Sequence, residues 1–211
     1  MARAISTKTL FEKTYDTFIF DGVWKIVIGI ISKGGIWLIY GDEKNGKTTL
    51  GLKLAEYLSK FENVWYISAE EGVGFEFQQT ASRIGIDPKN PKIKWQDYTA
   101  LDEIKEKLTK RQAPKVVFLD NATVYVDELK NGILRKLLID FPNTTFILLA
   151  HMEKNEPYTA TAKLAKKLAK IIIRVDGLTA FVSGRCPGGI ITINEQTAQL
   201  YHGSKIKSTT T

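Results

Sequence analysis

The sequence predicts an α/β fold: a mainly parallel sheet flanked by helices, with a C-terminal antiparallel strand extension. Three observations predict it. Apolar runs of strand length, rich in β-branched and aromatic residues, recur at 36–40, 64–68, 116–120, 145–150 and 171–175. Segments of helical period lie between them, at 47–60, 75–84, 101–111, 126–140 and 159–169, and such alternation buries a parallel sheet between helices. After Asp176 the pattern changes to short strands at 178–183, 190–194 and 198–201, broken by Pro187-Gly188-Gly189 and Asn194-Glu195. Turns of that composition join antiparallel strands.

The first strand, 36–40, runs into Gly41-Asp42-Glu43-Lys44-Asn45-Gly46-Lys47-Thr48, which satisfies G-x-x-x-x-G-K-[ST] with a strand before it and a helix after it. The glycines let the backbone curl so that successive N–H groups from Gly41 to Gly46 point inward at phosphate oxygens, where the next helix adds its positive N-terminal end. Lys47 reaches the terminal phosphates, Thr48 offers a hydroxyl to Mg2+, and Thr49 caps or lines the same turn. The loop therefore reads as an ATP site. Glu43 and Lys44 are charged where such loops are mostly small; solvent-facing side chains accommodate both, and direct contact from Lys44 to the nucleotide is the alternative.

The second strand, 64–68, ends just before Glu70 and Glu71 in the run YISAEEG. Either carboxylate could orient or deprotonate an attacking water, and a helix N-terminal cap is the plain alternative. The third strand is four apolar residues closed by Asp120. A carboxylate there stands on the side where the nucleotide sits and suits the orientation of magnesium; strand-end capping is the alternative. The strand at 145–150 delivers His151 as a polar strand-end residue. Lys163, Lys166, Lys167 and Lys170 follow at i, i+3, i+4 and i+7, a spacing that aligns them on one helix face with Leu164 and Leu168 turned away. A solvated lysine face is the alternative to a nucleic-acid surface.

The chain of 211 residues is 44% hydrophobic and 25% charged, enough to bury one core without disulfide staples. It shows no internal repeat. One domain over 1–203 and a flexible polar tail over 204–211 are expected, with a loop at 87–91. The apolar stretch 26–31 is too short to cross a bilayer and no secretion signal opens the chain, so a cytoplasmic protein without a membrane partner is expected. The single cysteine, Cys186, can form no internal disulfide and has no zinc-site spacing, which leaves it a packing or loop role. Lys and Arg exceed Asp and Glu by 30 to 23, a net charge of +7, which favours a polyanionic partner.

Taken together, GDEKNGKTT, YISAEE, VVFLDN and FILLAHMEK resemble the RecA-like ATPases, especially the short RecA-core members related to RadA, KaiC and the replicative hexameric helicases. The resemblance covers most of the chain and implies a RecA-like ATPase core over 1–203, a minimal form of the kind encoded by phages and mobile elements. It implies Glu70 rather than Glu71 as the water-activating carboxylate. It sets His151 at the position that senses the terminal phosphate, where RecA itself carries glutamine. It puts a DNA-contacting element in the loop expected at 152–158, with Lys154 and Tyr158 offering charge and stacking. Arg185, in VSGRCPGG, resembles an arginine finger that completes a neighbouring subunit's site, with Lys205 a weaker candidate. The function implied is a DNA-dependent ATPase of recombination, repair or replication that uses ATP and Mg2+, self-associates into a ring or filament and binds single-stranded DNA. The alternative is a KaiC-like assembly or regulatory ATPase that contacts no DNA. A small-molecule kinase is a third reading, and no arginine-rich lid segment supports it.

Overall fold

The computed structural model describes residues 4–194. Helix α1 (Thr7–Glu12), strand β1 (Thr17–Ile19), helix α2 (Gly22–Ile28) and strand β2 (Ile30–Ser32) precede strand β3 (Gly35–Gly41). There follow α3 (Lys47–Ser59), β4 (Val64–Ser68), α4 (Phe75–Arg83), β5 (Ile93–Asp97), α5 (Leu101–Leu108), β6 (Val116–Asp120), α6 (Val126–Leu129), α7 (Ile133–Asp140) and β7 (Thr145–Glu153). A short β8 (Glu156–Pro157), α8 (Ala160–Leu168), β9 (Ile171–Asp176), β10 (Thr179–Gly184) and β11 (Gly189–Thr192) complete the described residues.

The main sheet has the order β11-β10-β9-β3-β7-β6-β4-β5, with β8 paired to β7. Strands from β9 to β5 along this order are parallel, and β10 and β11 extend the sheet antiparallel. The fold class expected from the sequence is the one observed. Side chains alternate along a strand, so β3 sends Trp37 and Ile39 into one core and Ile36, Leu38 and Tyr40 into another. The first core is closed by Leu50, Leu54 and Leu58 of α3 and Trp24 of α2. The second is closed by Ile104 of α5, Leu134 and Leu137 of α7 and Ala165 of α8. Burial on both faces is why these strands read as continuous apolar runs.

Several local features differ from the expectation. Strand β5, with the sequence IKWQD, mixes buried and exposed positions at the sheet edge and so carries no apolar run. The stretch 26–31 is divided by Gly29 at φ 71, which ends α2 and starts β2, the antiparallel partner of β1. The expected helix at 126–140 is two helices, parted by Asn131 (φ 55) and Gly132 (φ 86). The element at 152–158 is a hairpin instead of an open loop: β7 continues to Glu153, Lys154 (φ 51) and Asn155 (φ 65) make the turn, and Met152 pairs with Pro157. Two consecutive positive φ angles suit the tight turn that right-twisted strands favour. The strand expected at 198–201, Glu195 of the second turn, Lys205 and the tail at 204–211 lie outside the described residues. Among the described residues no helix is long and apolar enough to cross a membrane.

The strand order positions the site. Strand β3, which carries the phosphate loop, is separated from β6 by β7. In register, Gly41 of β3 lies beside His151 of β7, and Ser68 of β4 lies beside Asp120 of β6. The polar groups expected from the sequence thus emerge at the C-terminal ends of the central parallel strands, with His151 standing between the phosphate loop and the acidic residues.

Candidate active site

The phosphate loop turns tightly because glycine occupies its two ends. A Cβ at Gly41 would lie 2.3 Å from the Val175 carbonyl oxygen of β9, so only a bare backbone passes there. Gly46 caps α3 at φ 94, and a Cβ on it would fall 2.5 Å from Leu178 Cδ2; this left-handed conformation is open to glycine at no steric cost. No side chain caps α3, which leaves its first backbone N–H groups available to an anion. Lys47, the first residue of α3, is buried and its Nζ donates to the Asp42 carbonyl at 2.7 Å. Burial pushes the Lys47 pKa below the ordinary lysine value, against the opposing pull of Asp120, Glu70, Asp42 and Glu43.

Asp120 closes β6 and is itself buried. Burial raises its pKa to about 6; the Tyr66 hydrogen bond opposes that rise, Glu71 and Glu70 add to it, and the Thr48 hydroxyl opposes it. The Tyr66 hydroxyl donates to Asp120 Oδ2 at 2.6 Å. The backbone after β4 is tied to the same residue, since the Ala69 and Glu70 N–H groups both donate to the Asp120 carbonyl.

Glu70 is held at both carboxylate oxygens. Asn121 Nδ2 donates to Oε2 at 3.0 Å, and His151 Nε2 lies 3.3 Å from Oε1. The Asn121 amide is oriented by Thr123, whose backbone N–H and hydroxyl reach Asn121 Oδ1 at 3.0 and 2.6 Å. Glu71 is exposed and also borders the cleft, so the pair of bonds to Asn121 and His151 is what sets Glu70 apart from it.

A cleft of about 400 Å³ gathers Lys47, Thr48, Thr49, Asp120, Glu70 and His151, with Glu43, Lys44 and Gly46 along the loop. Gly41, Asp42 and Asn45 form the rest of the loop. The lining also includes Ser68, Asn121, Thr80 and Arg83. Asn121 and Tyr66 were not singled out by the sequence, though each leaves a trace there: an amide directly after the strand-end aspartate, and a hydroxyl inside an apolar strand. Thr80 and Arg83 left none, since their spacing on α4 says nothing of the cleft they border.

Arg185 is not brought to this cleft. Its N–H donates to the Lys170 carbonyl at 2.7 Å, and Gly184 pairs with Ile171 at the start of β9. Because β9 is parallel to β3, this is the end of the sheet opposite the phosphate loop. The expected stripe of four lysines is also divided. Lys166 is bonded to both Glu156 oxygens at 2.8 Å, and Lys170, beyond the end of α8, donates to Ser32 O, Ser32 Oγ and Lys33 O at 3.1, 2.9 and 3.1 Å. Lys163 and Lys167 stay exposed, so the continuous basic stripe is corrected to a pair. Lys154 and Tyr158 are exposed on the hairpin. Cys186 packs against the first core and burial raises its thiol pKa, in keeping with a packing role.

No family model matches the chain. RecA of Wolinella succinogenes is 38% identical over 97 residues, which is 44% of this chain and 27% of that protein; the match thus spans about a quarter of the relative's length. Among solved structures, a KaiC-like protein from Pyrococcus horikoshii superposes with a TM-score of 0.60 at 18% identity, covering 80% of this chain and 86% of that one. The flagellar accessory protein FlaH from Methanocaldococcus jannaschii superposes with a TM-score of 0.57 at 19% identity, covering 82% and 88%. With the phosphate loop on β3, a strand inserted between it and the Asp120 strand, and these likenesses, the chain has the fold of the RecA-like P-loop ATPases.

Proposed function

We propose that the protein binds ATP with magnesium and hydrolyses it, and that single-stranded DNA stimulates hydrolysis in recombination, repair or replication. The observation that carries the ATP reading is the convergence of Lys47, Thr48, Asp120 and Glu70 on one cleft. The residues fit both groups. The glycine-bounded loop leaves backbone N–H groups free for phosphate oxygens, and Lys47 gives up only a carbonyl contact to reach them. Among the described residues no group of three His, Cys, Asp or Glu side chains could hold a metal alone. An ion at Thr48 and Asp120 would therefore take its other ligands from phosphate and water, which is how magnesium binds nucleotide sites. Magnesium supplies charge neutralisation on the phosphates. The chain's own part is to bind the phosphates through the loop and Lys47, to hold the ion through Thr48 and Asp120, and to accept the water proton at Glu70, aligned by Asn121 and His151.

The DNA part is supported by the RecA match, by the net charge of +7, and by exposed Lys154, Tyr158, Lys163 and Lys167. The hairpin is joined to the site, since the Tyr158 N–H donates to the His151 carbonyl at 2.9 Å. Arg185 would act only across a subunit boundary, in a ring or filament, where its charge could stabilise a neighbour's transferring phosphoryl group. A cytoplasmic location goes with this reading. The second reading, a KaiC-like assembly ATPase without DNA, is favoured by the two lysines already engaged within the chain: Lys166 is paired with Glu156 and Lys170 is tied to the backbone at Ser32 and Lys33. ATP hydrolysis measured with and without single-stranded DNA at low and moderate salt separates the two. DNA stimulation that weakens with salt supports the first reading; DNA-independent turnover supports the second.

A further inference from the structure

Tyr66 is a phenol set into a buried apolar strand. It stands in the middle of β4, in register with Phe118 of β6 and Trp95 of β5, and is fully buried. Its ring stacks on Phe118 with centroids 4.9 Å apart and packs against Trp95 at 5.4 Å. A phenylalanine would make the same ring contacts. The hydroxyl adds one bond, the 2.6 Å donation to Asp120 Oδ2. Facing a carboxylate oxygen, which can only accept, the phenol is the donor of this bond.

Helix α3 closes over this bond. A Cβ at Gly51 would lie 3.0 Å from the Tyr66 hydroxyl and 3.1 Å from Leu149 Cδ2, so any larger residue there would press on the hydroxyl. The contact is thus enclosed by α3 above and by aromatic rings alongside. A short O–H···O⁻ bond restricts rotation of the carboxylate as well as binding it. With Oδ2 engaged by Tyr66, Oδ1 is the oxygen left to serve the cleft that Asp120 lines together with Thr48.

We propose that Tyr66 is a positioning residue for the magnesium site: its hydroxyl fixes the Asp120 carboxylate so that Oδ1 is presented to the ion. The proposal rests on the ATP and magnesium reading of the cleft. It acts through Asp120 and touches neither nucleotide nor metal.

The test is the affinity for a fluorescent ADP analogue, in EDTA and across a magnesium titration, in wild type, Tyr66→Phe, Asp120→Asn and the double variant. Tyr66→Phe is expected to keep the EDTA affinity within about twofold and to raise the magnesium midpoint about tenfold, the size of a hydrogen bond to a charged group. It is expected to add nothing in the Asp120→Asn background. The readout compares affinities with and without magnesium in the same molecules, so a smaller folded fraction does not imitate the effect. A midpoint unmoved by Tyr66→Phe, or moved equally in the Asp120→Asn background, overturns the positioning role. A wild type whose nucleotide affinity ignores magnesium overturns instead the reading on which the proposal rests.

Discussion

His151 Nε2 lies 3.3 Å from Glu70 Oε1, joining residues 81 positions apart in the chain. His151 Nδ1 is buried without a partner among the described residues, so the tautomer that fits carries its proton on Nε2 and donates it to Glu70. A glutamine can donate an amide N–H from the same strand end. His151→Gln is therefore expected to retain turnover within a few-fold, whereas His151→Ala loses about tenfold, the worth of one hydrogen bond to a charged group. Steady-state rates of the two variants check this, and equal losses would argue against the hydrogen-bonding role.

Removing the carboxylate while keeping its shape tests Glu70 itself. Glu70→Gln is expected to bind nucleotide as the wild type does and to lose about 10²- to 10⁴-fold in turnover, the usual contribution of a positioned general base. Glu71→Gln is expected to change turnover little. A reversed pattern would transfer the role to Glu71.

The raised Asp120 pKa makes a stability prediction for the nucleotide-free protein. A carboxyl that titrates near 3.8 in the unfolded chain and at about 6 in the folded one favours folding while protonated, and that contribution is lost as pH rises through 6. Asp120→Asn is expected to raise the melting temperature at pH 7 and to have no such effect near pH 4. The stabilisation at pH 7 is at most roughly 3 kcal/mol. Thermal melts of both proteins across this window check the sign.

The two classes of lysine are expected to behave differently. Charge reversal at Lys163 and Lys167, both exposed, is expected to weaken DNA stimulation and its salt dependence without moving the melting temperature. Lys170→Met removes three donors from Ser32 and Lys33 and is expected to destabilise the protein by about 1–3 kcal/mol. Melting curves beside DNA-stimulated hydrolysis distinguish the effects.

What was legible in the sequence was local. Strands β4 and β6 were read to the residue, because burial on both faces leaves an unbroken apolar run. The phosphate loop was legible because eight consecutive residues carry its chemistry. Edge strand β5 was not, since two of its five residues are exposed and only one is buried. The lysine stripe was misread because helical spacing shows which residues share a face and never what stands opposite; Glu156 and Ser32 come from other elements. The clasp of Asn121 and His151 on Glu70, and the distance of Arg185 from its own chain's cleft, depend on strand order, which no local pattern encodes.

Magnesium-dependent ATP hydrolysis by the purified protein, measured beside Lys47→Ala, tests the central claim most directly. Lys47 is the one cation buried within the phosphate loop, so the wild type is expected to turn over ATP, alone or with single-stranded DNA, and Lys47→Ala to show no turnover and nucleotide binding weaker by about 10- to 100-fold. Equal turnover by both proteins, or none by the wild type with or without DNA, would contradict an ATPase site at this loop.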